Sequence, residues 1–131
     1  MEPVGVFVYG TLRVGERNFP VARQAGWVAS EPAVLEGFVL YDLPYGYPAI
    51  VRGAGRVYGE VQYYRDLARA LERLDVLEDV GAEYLRVRVE VQVRGERVGA
   101  WAYVYPNLEA VRAAGGRRVP SGRWTGGLEA Q

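Results

Sequence analysis

The chain contains no cysteine, no histidine and no lysine; every basic residue is an arginine. Without cysteine there is no disulfide, no thiol nucleophile and no thiolate metal site. Without histidine there is no imidazole base and no Ser-His pair. Without lysine there is no Schiff base and no phosphate-loop ammonium. Proton transfers in any enzyme built from this chain fall to Asp, Glu or Tyr. Isoleucine occurs only at position 50 and asparagine only at positions 18 and 107. A heat-adapted source and a GC-rich genome explain that composition equally well.

Other absences narrow the class. No apolar run approaches a bilayer span. The start, MEPVGVFVYG, lacks the basic residues and cleavage site of a signal peptide, so a cytoplasmic location is expected. Sixteen basic and sixteen acidic residues give zero formal charge, which argues against a generic nucleic-acid or membrane-surface binder. Arg112, Arg117, Arg118 and Arg123, set against Glu109 and Glu129, read as a solvated tail. A length of 131 residues, 50% of them hydrophobic, suits one globular domain over residues 1–131.

What is present divides by period. Val4 to Tyr9 is apolar throughout and reads as a strand buried on both faces. It stops at Gly10-Thr11 and gives way to the polar loop of FVYGTLRVGERN. Asn18 can cap a short helix with Pro20 in its first turn, finished by Gly26. Strand-like pieces follow over residues 27–41. Pro44, Gly46 and Pro48 mark a loop, and Arg56 to Tyr64 forms another strand. Residues 65–79 change to helical spacing, with Leu67, Leu71 and Leu74 in one stripe, Asp66 near the start and Gly81 as a stop. Leu85, Val87, Val89, Val91 and Val93 alternate onto one strand face. Arg94-Gly95-Glu96 turns the chain into a hairpin partner, Arg97 to Tyr105. Residues 107–131 are mostly loop, with at most a short helix near Leu108 to Ala114. About six strands and two or so helices without regular alternation predict an α+β fold. A mixed β-barrel or strongly curved sheet with flanking helices fits this order.

One carboxylate breaks the helical pattern. At 100° per residue, Glu78 falls within the leucine stripe, while Arg69, Glu72 and Arg73 lie outside it. It therefore points toward the core or a pocket. Desolvation and the carbonyl end of the helix both raise its pKa, toward the range useful for acid–base chemistry. If the helix frays earlier, Glu78 is a solvated cap residue instead. Asp75, at the stripe's edge, reads as a structural hydrogen-bond acceptor.

YGTLRVGERN (Tyr9 to Asn18), GFVLYDLPYGYPAIV, VYGEV, LDVLEDVGAEYLR and the WAYVY and VPSGRW segments occur in order along nearly the whole chain. In this order they resemble the gamma-glutamylcyclotransferase-like, or AIG2-like, family. The resemblance implies a barrel-like sheet and cyclisation of a gamma-glutamyl amide or amine to 5-oxoproline, with release of the attached amine. It further implies catalysis by Glu78 and a substrate loop of Tyr9, Gly10, Thr11 and Leu12. No metal or other cofactor is required. The expected partner is a small gamma-glutamyl substrate, with no nucleic acid or membrane, and the protein is expected to be a monomer or small homo-oligomer. Successive backbone N–H groups in the loop would form a concave anion site, with Gly10 allowing close ligand approach. Arg13 reads as a rim or structural residue, and Arg86 as the partner of an acid near the helix end. Tyr41, Tyr47, Tyr84, Tyr103 and Tyr105 are candidates to shape the pocket. Glu60 has no assigned role. A noncatalytic module binding a small ligand on the same fold is the alternative, and a hydrolase or amide-forming transferase is a third reading.

Overall fold

The computed structural model describes residues 1–126; Glu129 of the arginine-rich tail lies outside them. The chain runs β1 (Val6–Val8), α1 (Phe19–Gln24), β2 (Trp27–Asp42), β3 (Pro48–Tyr64), α2 (Leu67–Leu77), β4 (Leu85–Val93), β5 (Glu96–Val104), α3 (Leu108–Ala113) and β6 (Arg117–Arg118). The strands pair in the order β3-β1-β5-β4-β2, and β2 pairs again with β3, so five strands close into a barrel. β1 and β5 run parallel while β1–β3, β2–β3, β2–β4 and β4–β5 are antiparallel, making the barrel mixed. β6 extends it beside Tyr41 and Asp42 of β2. Three helices flank the barrel among the described residues, the third being the short one near Leu108, and none is long and apolar enough to cross a membrane.

β1 is buried on both faces because it separates two cores. Phe7 points into the barrel with Leu35, Ile50, Val57 and Val91. Val6 and Val8 face outward against Leu12, Leu71 and Leu74, where the helices pack. The neighbouring strand comes close enough that a Cβ on Gly59 would lie 2.2 Å from the Val8 carbonyl oxygen. Only glycine fits there.

β2 and β3 are long continuous strands where the sequence suggested shorter pieces. Pro32 does not end β2; its position still pairs with Glu60. A register shift between Glu36 and Phe38 surrounds Gly37, whose φ is 85°. Such a bulge bends the ribbon, which helps it wrap round the barrel. The predicted break at residues 44–48 is the hairpin turn, but β3 then runs from Pro48 through the glycine-rich segment that obscured it. In the β4–β5 hairpin, Arg94 and Gly95 have φ of 53° and 78°, the positive values of a type I′ turn. Glu96 already belongs to β5. Val89, Val91 and Val93 are buried as their alternation predicts, but Leu85 is 42% exposed. It pairs with Val104, the last residue of β5, at the end of the hairpin.

α2 starts with Asp66, which accepts from the Arg69 N–H at 3.2 Å. It ends at Leu77 with Glu78 as the cap residue. Asp79, not Gly81, ends it by taking a left-handed conformation, φ 51°. The Val80 N–H reaches back to the Asp75 carbonyl at 3.1 Å, and the Asp79 N–H to that of Val76 at 3.2 Å. This paired closure is a Schellman motif with aspartate where glycine is usual. Asp79→Gly removes the left-handed strain and a negative charge beside the carbonyl end of the helix. The expected gain is about 0.5–1 kcal/mol of unfolding free energy at neutral pH, measured by denaturant titration. A loss of stability would mean that the Asp79 side chain holds the turn.

Candidate active site

A cavity of about 310 Å³ lies where the loop after β1 meets the end of α2. Tyr9, Gly10, Thr11 and Leu12 line it together with Glu78, so all five residues expected at the site border one space. Glu83, Tyr47, Tyr84 and Tyr103 complete much of the wall, and Arg17 is an exposed cation on its rim. Tyr105 is tied to the wall through Glu83, whereas Tyr41 packs among the outer-core residues.

The loop is held by its carbonyls. Gly10 O accepts from the Arg13 N–H at 3.2 Å and Arg13 Nε at 3.1 Å. Thr11 O accepts from the Asn18 N–H at 2.9 Å. Leu12 O accepts from Gln62 Nε2 at 2.8 Å. Among the described residues, the N–H groups of Gly10, Thr11 and Leu12 have no protein acceptor. Three successive free donors in a buried loop form a ready receptor for a carboxylate or an oxyanion.

Side chains brace this arrangement. Asn18 stands at the start of α1 but does not cap it; its Nδ2 donates to Thr11 Oγ1 at 2.9 Å. Arg13 also donates to the Trp124 carbonyl at 2.6 Å, which fixes it as a structural strut. Glu60 accepts from the Val14 N–H at 3.2 Å and from Gln62 Nε2 at 3.1 Å. Gln62 is fully buried, and Tyr64 donates to its Oε1 at 2.8 Å. Gln62 follows Glu60 at strand spacing, so alternation in the sequence does not mark it as buried.

Gly10 is also required by packing. A Cβ there would lie 2.6 Å and 2.7 Å from Pro48 Cγ and Cδ. The missing side chain makes room for the start of β3.

Glu78 is closely surrounded by protein and reaches solvent through the cavity. Desolvation, followed by the charge of Glu83, raises its pKa from 4.5 to about 7. Glu83 lies beyond the helix, where helical periodicity no longer applies, and the sequence did not mark it. Its Oε2 accepts from Tyr47 Oη at 2.7 Å and Tyr105 Oη at 2.5 Å. Burial first, then these hydrogen bonds, drives both phenol pKa values upward. The phenols therefore remain protonated donors near neutral pH, leaving proton acceptance in the cavity to the carboxylates. Asp75 is occupied elsewhere: it accepts from Arg86 Nε at 2.9 Å and Tyr103 Oη at 2.8 Å. Arg86 also covers the Trp101 ring at 4.3 Å. Among the described residues, no group of three or more acidic side chains is arranged to hold a metal ion.

The chain and its fold have known counterparts. The family described as "Gamma-glutamyl cyclotransferase, AIG2-like" matches residues 6–126. A Vibrio cholerae protein named "Putative gamma-glutamylcyclotransferase" is 35% identical over 119 residues, covering 91% of this chain and 93% of that protein. A Niallia circulans protein named "Gamma-L-glutamyl-butirosin B gamma-glutamyl cyclotransferase" is 34% identical over 107 residues, covering 76% of this chain and 65% of that one. The crystal structure of a mouse AIG2-like protein superposes with a TM-score of 0.76 at 24% identity, covering 95% of this chain and 90% of that one. The chain belongs to the AIG2-like gamma-glutamylcyclotransferase family, a family of enzymes.

Two measurements test the site's energetics. Gly10→Ala forces the loop away from Pro48 and is expected to cost about 1–3 kcal/mol without any ligand. Unchanged denaturant stability would show that the two segments can separate freely. The raised pKa of Glu78 means that folding favours its protonated form. The native state therefore loses stability as pH rises from about 4.5 to about 7, and the penalty persists above that window. At about 1.4 kcal/mol per tenfold change in acidity, the penalty is on the order of 3 kcal/mol. Glu78→Gln is expected to match the parent near pH 4 and exceed its stability by up to that amount near pH 8. Parallel unfolding curves at the two pH values check this; equal stability of the two proteins at pH 8 would contradict the burial argument.

Proposed function

We propose that the protein converts a small gamma-glutamyl amide or amine to 5-oxoproline, using Glu78 as base and then acid. The observation carrying this reading is the meeting of one near-neutral carboxyl group and three free backbone donors in a single cavity. The cavity volume lies at the lower end of the usual range for small-molecule sites, about 300–1,000 Å³.

The glutamyl head group binds against the Gly10–Leu12 amides. Glu78 takes a proton from the substrate's alpha-amino group, and that nitrogen attacks the gamma-carbonyl carbon of the same molecule. A lactam C–N bond forms, the original amide C–N bond breaks, and Glu78 returns the proton to the departing nitrogen. The loop donors stabilise negative charge on the carbonyl oxygen as the tetrahedral centre develops. Attack within one molecule needs no enzyme nucleophile, which suits a chain without cysteine, histidine or lysine. Holding a reactive conformer is worth about 7–11 kcal/mol in well-oriented intramolecular reactions.

Glu78→Gln keeps the shape and hydrogen-bonding ability of the side chain but cannot cycle a proton. Release of 5-oxoproline from a panel of gamma-glutamyl compounds is expected to fall about 10²–10⁴-fold, with ligand binding retained. A variant that turns over like the parent would remove Glu78 from the mechanism. A parent that binds these compounds without releasing 5-oxoproline would favour a binding module instead.

A further inference from the structure

Glu83 is a second carboxylate in the same cavity, and the proton transfers assigned to Glu78 make no use of it. Among the described residues both of its hydrogen bonds, from Tyr47 and Tyr105, fall on one oxygen, Oε2. Among the described residues, Oε1 has no hydrogen-bond partner, and neither Glu83 nor Glu78 forms an ion pair. Arg17, the one cationic side chain in the cavity lining, is not within ion-pair distance of either. Two acidic groups thus share a partly enclosed space without a protein countercharge. Such groups repel, and the repulsion is relieved when a cation enters between them.

The two phenols set the direction of the carboxylate. Tyr47 sits just before β3, and Tyr105 follows β5. By gripping one oxygen from two separate elements, they hold the other in a defined orientation. Gly10 to Leu12, whose N–H groups have no protein acceptor among the described residues, line the same cavity. It therefore carries a receptor for negative charge and one for positive charge, the pattern that suits the carboxylate and ammonium of an amino-acid head group.

We infer that Glu83 Oε1 receives the alpha-ammonium group of the gamma-glutamyl substrate and holds the attacking nitrogen beside Glu78. This assignment rests on the gamma-glutamyl reading of the site. Glu83 is a binding residue in this scheme. When one ammonium proton passes to Glu78 and on to the departing nitrogen, the remaining N–H groups still have Glu83 as acceptor. The amine therefore stays oriented while its lone pair turns to the gamma-carbonyl. The second proton passes to the freed Glu78 as the lactam forms and leaves with the released amine as its ammonium.

The test compares two ligands differing only in the amine: gamma-glutamylmethylamide and the monomethylamide of glutaric acid. Binding is measured by calorimetry on full-length Glu78→Gln protein, which suppresses turnover. Charge-assisted recognition predicts that the amine-bearing compound binds about 10- to 100-fold more tightly. Adding Glu83→Gln, which keeps an oxygen acceptor for the phenols, is expected to reduce this preference to within about threefold. Adding Tyr105→Phe instead removes one brace but keeps the charge, and the preference is expected to remain. If Glu83→Gln leaves the preference intact, or weakens both ligands equally, Glu83 is a structural anchor and the inference fails. That failure leaves the gamma-glutamyl reading standing whenever the parent releases 5-oxoproline. If the parent releases none from any gamma-glutamyl compound and neither ligand binds, that reading fails and the assignment of Glu83 falls with it.

Discussion

The buried hydrogen bond from Gln62 to the Leu12 carbonyl is the constraint on which the site depends. An unsatisfied buried N–H costs about 1–3 kcal/mol, so three in succession strongly favour rearrangement of a loop. Here rearrangement is blocked from the carbonyl side. Gly10, Thr11 and Leu12 each have a bonded carbonyl, through Arg13, Asn18 and Gln62 respectively. The Thr11 and Leu12 N–H groups share their peptides with the Gly10 and Thr11 carbonyls, so turning either peptide would break a bond already made, and the Gln62 bond to the Leu12 carbonyl fixes the peptide that follows. Gln62 resists because it lies in β3, fully buried and held by Tyr64. The barrel thereby transfers its rigidity to the loop.

The same strand arrangement fixes the distance between loop and acid. Val6 and Val8 on the outer face of β1 join the apolar cluster containing Leu71 and Leu74 of α2. The loop leaves one end of β1, and Glu78 leaves the end of α2. Their meeting follows from packing between the strand and the helix, with the left-handed Asp79 turning the chain immediately afterward. That turn leads to Glu83, so the two carboxylates reach the cavity from opposite sides of one helix closure.

Legibility in the sequence follows these mechanisms. Glu78 was identifiable although the helix ends one residue earlier, because the cap residue keeps near-helical backbone angles, φ −86° and ψ 1°. Projection at 100° per residue therefore remains useful for one more position. It fails beyond Asp79, which is why Glu83 escaped notice. The two-faced burial of β1 was readable from its unbroken apolar run. The length of β2 and β3 was not, because Pro32 and the glycines near residue 55 look like breaks yet are accommodated by a curved barrel ribbon. The packing constraint on Gly10 was not legible, because its neighbour, Pro48, is distant in sequence and adjacent only after β3 closes against the loop.

In the proposed reaction, acid–base chemistry near neutral pH is supplied without imidazole. An ordinary glutamate is almost fully ionised there and holds a returned proton poorly. Burial beside Glu83 brings Glu78 to about 7, where both protonation states are accessible. Proximity of the second carboxylate is thus useful in two ways in the proposed reaction. Its charge raises the affinity of Glu78 for a proton, and its free oxygen faces the cation that supplies that proton. The arrangement costs folding stability, as do the unpaired loop donors. Against those costs stand the closed barrel and the apolar layer between β1 and α2, neither of which takes part in the chemistry.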